Sequence, residues 1–350
     1  MERMVSPGGE GPRIVAERDE RARFPWTAFY EAVGRRLLDY ANDRKPLVEA
    51  LHEITSRVSG MNHLNDRFTD GRKGPLQDIC PFTVFGAFNK GLTDENRQTI
   101  AGELGRFLEV TEPAPSSFAG IPVLNNLQSW FFNYASSRKP GDIDRLWEVF
   151  IAAAGLVAAW KGMAGPAGDE GATQPAAEVA APVRRVFDDD ICSAGGTFVR
   201  AYDEATKVWG TAWNLTTGLF WAHPWDFPTL ERHSRLYVRE RLGLKTLEPN
   251  RAAPCDGATY LGLRDQLATR FPEENYPVHS FPALSLEAGR YHSVLVQVSA
   301  VARTPEPFMP DEAGMQAHGT EHAGSWRVRQ GQMKRFSPRL RPFPIRYRIF

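Results

Sequence analysis

Neither sign of charge is in excess in this chain: Lys and Arg number 42, and so do Asp and Glu. A neutral chain has no general attraction for polyanions, so any contact with nucleic acid must come from a local patch. Cysteine is scarce. Cys80, Cys192 and Cys255 are odd in number and widely spaced, which fits neither a disulfide framework nor a zinc site and suggests reduced thiols in a cytoplasm. Long apolar runs are missing too: the longest nearly uncharged one, Val149 to Trp160, has twelve residues, short of the about 20 that cross a bilayer. The opening stretch MERMVSPGGEGPRIVAERDERARF lacks the apolar core of a signal peptide. Gly followed by Lys occurs nowhere, which rules out a G-x-x-x-x-G-K-[ST] phosphate loop.

What is present is mostly helical text, long enough at 350 residues for two domains. Residues 1–24 are charged and Gly-containing with little to bury, which predicts a mobile tail. Ala28 to Ala41 reads as a helix. Pro46 opens another, with Leu47, Leu51, Ile54 and Val58 at helical spacing. Thr93 is an N-cap candidate with Asp94 and Glu95 in the first turn, and Ile100, Leu104 and Phe107 form the inward stripe. A further helix follows Asp142 and buries Ile143, Leu146, Trp147, Phe150 and Val157. Residues 164–183 have a linker's Ala, Gly and Pro composition. Beyond them Thr197 to Tyr202 and Val208 to Leu215 read as short strands, and Thr229 to Leu242 as helix. The expected fold class is therefore α+β and predominantly helical. It comprises two helix-rich lobes, 25–163 and 184–288, with a few short strands, followed by an atypical basic, disordered tail over 289–350.

An internal echo suggests duplication. Tyr40-Ala-Asn-Asp-Arg-Lys-Pro46 and Tyr134-Ala-Ser-Ser-Arg-Lys-Pro140 agree at five of seven places, and Phe271 to Pro277 keeps the aromatic-to-proline spacing. Gly86-Ala-Phe88 and Gly218-Leu-Phe220 echo more faintly. Each aromatic-to-proline segment would end one helix and begin the next.

Several clusters carry candidate chemistry. His318-Gly-Thr-Glu321-His322 matches the H-x-x-E-H zinc pattern, but its Gly-flanked surroundings offer no helix to rigidify it, so accident is the better reading and no metal is expected. Asp43-Arg-Lys45 has the D-x-K spacing of a nuclease core, yet falls in a helix turn rather than on a strand. Trp209, Trp213, Trp221 and Trp225 either fill a core beside Phe220 and Phe227 or offer faces for base stacking. On TLERHSRLYVRERL, Arg232, Arg235 and Arg239 share one helix side and could grip phosphates, although such faces are commonly only solvated. Arg138 and Lys139, echoing Arg44 and Lys45, are open to the same two readings.

The blocks PFTVFGAFNKGLTDENR and GIPVLNNLQSWFF, then GTAWNLTTGLFW, PWDFPTLERHSRLY, CDGATYLGL and YPVHSFPALS, resemble the region upstream of the nucleotide-binding motor in McrB-type AAA+ restriction proteins. The likeness covers about residues 25 to 288. It implies a cytoplasmic, non-catalytic module that recognises DNA, modified or unmodified, or acts as an adaptor in phage defence. Its implied partners are an McrB-like motor and an McrC-like nuclease, with no membrane, no cofactor and no catalytic residue of its own. The motor itself is missing, so the chain is expected to be truncated before it. Residues 327–350, with eight Lys or Arg and no acid, then read either as an out-of-frame tail or as a basic arm. The alternative to the whole reading is a protein-interaction scaffold without nucleic-acid contact.

Overall fold

The computed structural model describes residues 12–58, 64–124, 129–163, 190–244 and 254–301. The chain divides into two compact units, Met1–Ala302 and Arg303–Phe350, and every described residue belongs to the first. Among the described residues the elements are α1 (Pro12–Arg23), α2 (Trp26–Leu37), α3 (Lys45–Arg57), β1 (Asn65–Arg67), β2 (Lys73–Pro75), α4 (Pro81–Phe88), α5 (Asp94–Phe107), α6 (Asp142–Met163), α7 (Asp190–Ala205), α8 (Asn214–Ala222), α9 (Arg232–Glu240), α10 (Gly257–Arg270) and α11 (Phe281–Val301). The protein is predominantly helical α+β, as its periodicity predicts.

Local signals account for many of the boundaries. Pro46 sits in the first turn of α3, where its missing N–H deprives no carbonyl of a partner. Thr93 caps α5 by accepting a hydrogen bond from the Asn96 N–H, with Asp94 and Glu95 in the first turn. Leu47, Leu51, Ile54 and Val58 are buried, as are Ile143, Leu146, Trp147, Phe150 and Val157. The chain folds back between β1 and β2 at Asp70-Gly71, where Gly71 takes a positive φ of 81° that costs glycine little.

At the centre lie α4 and α8. All eight residues of α4 are buried, as is Leu215–Ala222 of α8. A helix apolar all round must be covered from every side, and each supplies part of the other's cover. Gly218 makes that approach possible, because a Cβ there would stand 2.5 Å from Phe82 Cδ1. Gly86 does the same against the Ser129 carbonyl, at 2.7 Å. The Gly86/Gly218 echo therefore marks two close crossings. Trp26 of α2 packs on Phe220 with ring centroids 5.8 Å apart, and Phe150 of α6 meets Phe82 edge-on at 5.8 Å. Further out, Phe198, Tyr202, Phe227 and Tyr260 stack nearly parallel between α7, α10 and the segment after α8.

Four expectations need correction. The segments 25–163 and 184–288 do not form separate lobes; they share one hydrophobic core within a single unit. Helix α8, from the second segment, packs on α2 and α4 of the first. Thr197 to Tyr202 is helix, not strand, within α7. Phe198, Tyr202 and Ala205 are buried at helical spacing, and that stripe outweighs the β-propensity of Thr, Val and Tyr. Val208 to Leu215 is a turn over 208–213 followed by the first residues of α8, while the two strands form an antiparallel hairpin at 65–75. Finally, the expected tails are partly helical: α1 begins at Pro12, and α11 continues to Val301. Phe24, 2% exposed, anchors α1 with the about 1.5–3 kcal/mol of a buried large side chain, and Ser280 donates to Glu20 at 2.8 Å. The expected linker 164–183 lies outside the described residues.

Candidate functional site

Three polar residues of the first resemblance block, Thr83, Asn89 and Arg97, are buried, while Thr93, Asp94 and Glu95 stay exposed. Arg97 donates to the Phe88 carbonyl at 2.9 Å and to Asn89 Oδ1 at 2.8 Å, and its guanidinium lies 3.8 Å from the centre of the Phe118 ring. Tyr30 donates to the same Asn89 oxygen at 2.7 Å, and Asn89 donates to the Phe85 carbonyl. Burial pushes the Tyr30 hydroxyl pKa up and that of Arg97 down. The N-K-G-L-T-D-E-N-R run thus fastens α5 to the end of α4.

The Arg-Lys echoes also divide into an inward and an outward member. Arg138 pairs with Asp66 at 3.2 Å, their side chains being 17% and 1% exposed, and lies over the Phe132 ring at 5.3 Å. Arg44 repeats the arrangement, pairing with Asp78 at 3.1 Å and lying over Trp147 at 5.5 Å. Lys139 and Lys45 remain exposed. Asp43 accepts a hydrogen bond from the Lys45 N–H, so the D-x-K spacing closes a turn.

The expected arginine strip on α9 is broken in the middle. Arg232 and Arg239 are exposed, but Arg235 is 5% exposed, donates to the Leu230 carbonyl at 2.6 Å and lies 4.1 Å over the Trp213 ring. Its position is about 60° from buried Val238 on the helix wheel, so an aromatic face and a carbonyl draw it inward. The four tryptophans scatter likewise. Trp221 is fully buried and donates to the Pro122 carbonyl at 3.1 Å. Trp213 is buried beneath Arg235, and Trp225 is half-buried beneath Arg21 at 4.7 Å. Only Trp209 among them is an exposed large hydrophobic, at 58%.

Between α9, α11, the segment Gly120–Leu124 and the turn Ala212–Asn214 runs a groove of about 1000 Å³. Ser285 donates to the Gly120 carbonyl at 2.8 Å, tying α11 to the far wall. At the start of α9 Glu231 caps its own helix, accepting from the His233 and Ser234 N–H groups at 2.7 and 2.8 Å. That carboxylate occupies the positive end of the dipole, so recognition of an outside anion falls to side chains. Arg232 and Arg290 line the groove, Arg290 also pairing with Glu287 at 2.7 Å. Exposed Val123 and Val294 give the groove an apolar margin. His233 and His292 stack across the α9–α11 seam with centroids 3.6 Å apart. Burial, and then His233, push the His292 pKa down.

Glu231, Arg290 and His292 escape sequence reasoning. Glutamate is an uncommon N-cap, and α11 runs across the point where the text changes character. Among the described residues no three His, Cys, Asp or Glu gather as a metal would require. No helix there is long and apolar enough to cross a membrane. Buried Cys80 has its thiol pKa pushed up to about 12 by desolvation, which makes it a poor nucleophile. His318, Glu321, His322 and the basic stretch 327–350 lie outside the described residues.

A family profile described as "Domain of unknown function (DUF8425)" matches residues 26–162, less than half of the chain. No curated protein and no solved structure matches. Neither result bears on the likeness to McrB-type proteins.

Proposed function

We propose that this chain is a non-catalytic DNA-recognition or adaptor module of an McrB-like, modification-dependent restriction system. It would act in the cytoplasm and pass its DNA-bound state to an AAA+ motor, with an McrC-like nuclease making the cut. The observation that carries the reading is the groove. Its wall Gly120–Leu124 comes from the resemblance block GIPVLNNLQSWFF, and Arg232 and Arg290 stand at its edge. Guanidinium groups match phosphate oxygens, and phosphate contacts set position rather than sequence. Arg239, two turns along α9 from Arg232, lies about 10 Å further on and extends the basic edge.

A protein-docking scaffold is the second reading, favoured by the exposed Val123 and Val294 on the same groove. Changing both Arg232 and Arg290 to Ala separates the two. Under the first reading, duplex affinity falls and the salt slope flattens by about 1.8, each phosphate contact contributing about 0.9. Unchanged or negligible duplex binding would leave the scaffold.

A further inference from the structure

A second surface, away from α9, joins exposed aromatic rings to unshielded cations. In the hairpin register Arg67 stands directly opposite Lys73, and both are exposed. Directly opposed side chains project from the same face of an antiparallel pair, and like charges there are destabilising. The nearby carboxylates do little to relieve this: Asp66 is buried against Arg138, and Asp70 is bonded to Arg72. The Arg67 guanidinium lies 5.6 Å from the centre of the Tyr134 ring, which is 40% exposed. Half-buried Trp130 continues the aromatic row, 5.7 Å from Tyr134. Trp209 emerges beside the same segment, because the Gly210 backbone lies against Trp130–Phe132, where a Cβ would come within 2.8 Å of the Trp130 carbonyl. Gly210 holds this approach with a φ of 93°.

We propose that this face binds unpaired nucleic acid, with bases stacking on Trp209 and Tyr134 and the backbone passing over Arg67 and Lys73. A polyanion relieves the like-charge pair, and flat bases cover rings that the fold leaves open to water. Duplex offers phosphates but keeps its bases stacked on one another, so it meets only half of these features. A single strand supplies both. The inference extends the DNA-binding reading but does not depend on the groove.

The test is titration of the intact chain with a thymidine dodecamer, single-stranded and as a duplex, followed by fluorescence anisotropy. Changing Trp209 or Tyr134 to Ala weakens single-strand affinity about tenfold each. Arg67→Ala with Lys73→Ala flattens the single-strand salt slope by about 1.4, while the melting temperature stays the same or rises because the repulsion is gone. In the R232A/R290A background, replacing Trp209 and Tyr134 still weakens single-strand affinity while leaving duplex affinity within twofold, so failure of the groove and failure of this face read out separately. No single-strand binding, or affinity that stays within twofold when Trp209 and Tyr134 are both replaced, would overturn the proposal. So would equal losses for duplex and single strand.

Discussion

Replacing Arg97 with Ala tests whether the resemblance block holds the fold together. Two charge-assisted hydrogen bonds, to the Phe88 carbonyl and Asn89 Oδ1, are together about 3–6 kcal/mol. The face contact with Phe118 adds about 1 kcal/mol. Regained hydration of the guanidinium in the reference state offsets about half of this. Asp94, the ion-pair partner at 3.4 Å, is 68% exposed, so removing Arg97 strands no buried charge. The expected net loss is about 3 kcal/mol, or about 4–6 °C in melting temperature for a chain of this size. Arg97→Lys keeps the charge but reaches fewer acceptors, and loses about half as much. Urea unfolding followed by circular dichroism gives both values. If Arg97→Ala costs under about 1 kcal/mol, the network does not hold α5 to α4 and the block's polar residues need another role.

Two further predictions concern the core. Gly218→Ala forces a methyl to 2.5–2.8 Å from Phe82 ring atoms and costs about 1–3 kcal/mol by overpacking. Gly102→Ala, with nothing within 4 Å of the added Cβ, stabilises α5 by about 0.4–1 kcal/mol; the same sign at both sites would refute the close crossing. The third prediction concerns pH. Burial holds the His223 pKa at about 3, well below its ordinary value of 6.5. Its unfolded form therefore takes up a proton that its folded form refuses. That contribution is present above about pH 6.5, and stability falls as pH drops towards 3. Between pH 7 and 5 the intact chain should lose about 2 kcal/mol more than His223→Gln, and equal losses would show that the ring is not secluded.

The helices α2, α3, α5 and α6 were legible because each carries an apolar stripe, and α5 carries its Thr93 cap as well. Long-range cover was not legible. Nothing local to α4 says that α8, some 130 residues on, will pack on it through Gly218. In α7 the helical spacing of Phe198, Tyr202 and Ala205 was present, but the β-branched text around it spoke for a strand. At the site, sequence could place Arg232, Arg235 and Arg239 on one side of a helix. It could not show that Trp213 and the Leu230 carbonyl capture the middle one. The Arg67–Lys73 opposition depends on hairpin register, which becomes visible only once Asp70-Gly71 fixes the turn.

The most direct measurement follows the affinity of the intact chain for modified and unmodified duplexes from about 50 to 200 mM salt. Contacts from Arg232, Arg239 and Arg290 predict binding whose logarithm falls with a slope of about −2 to −3 against the logarithm of salt. A flat line, or no binding at the lowest salt, would contradict the account.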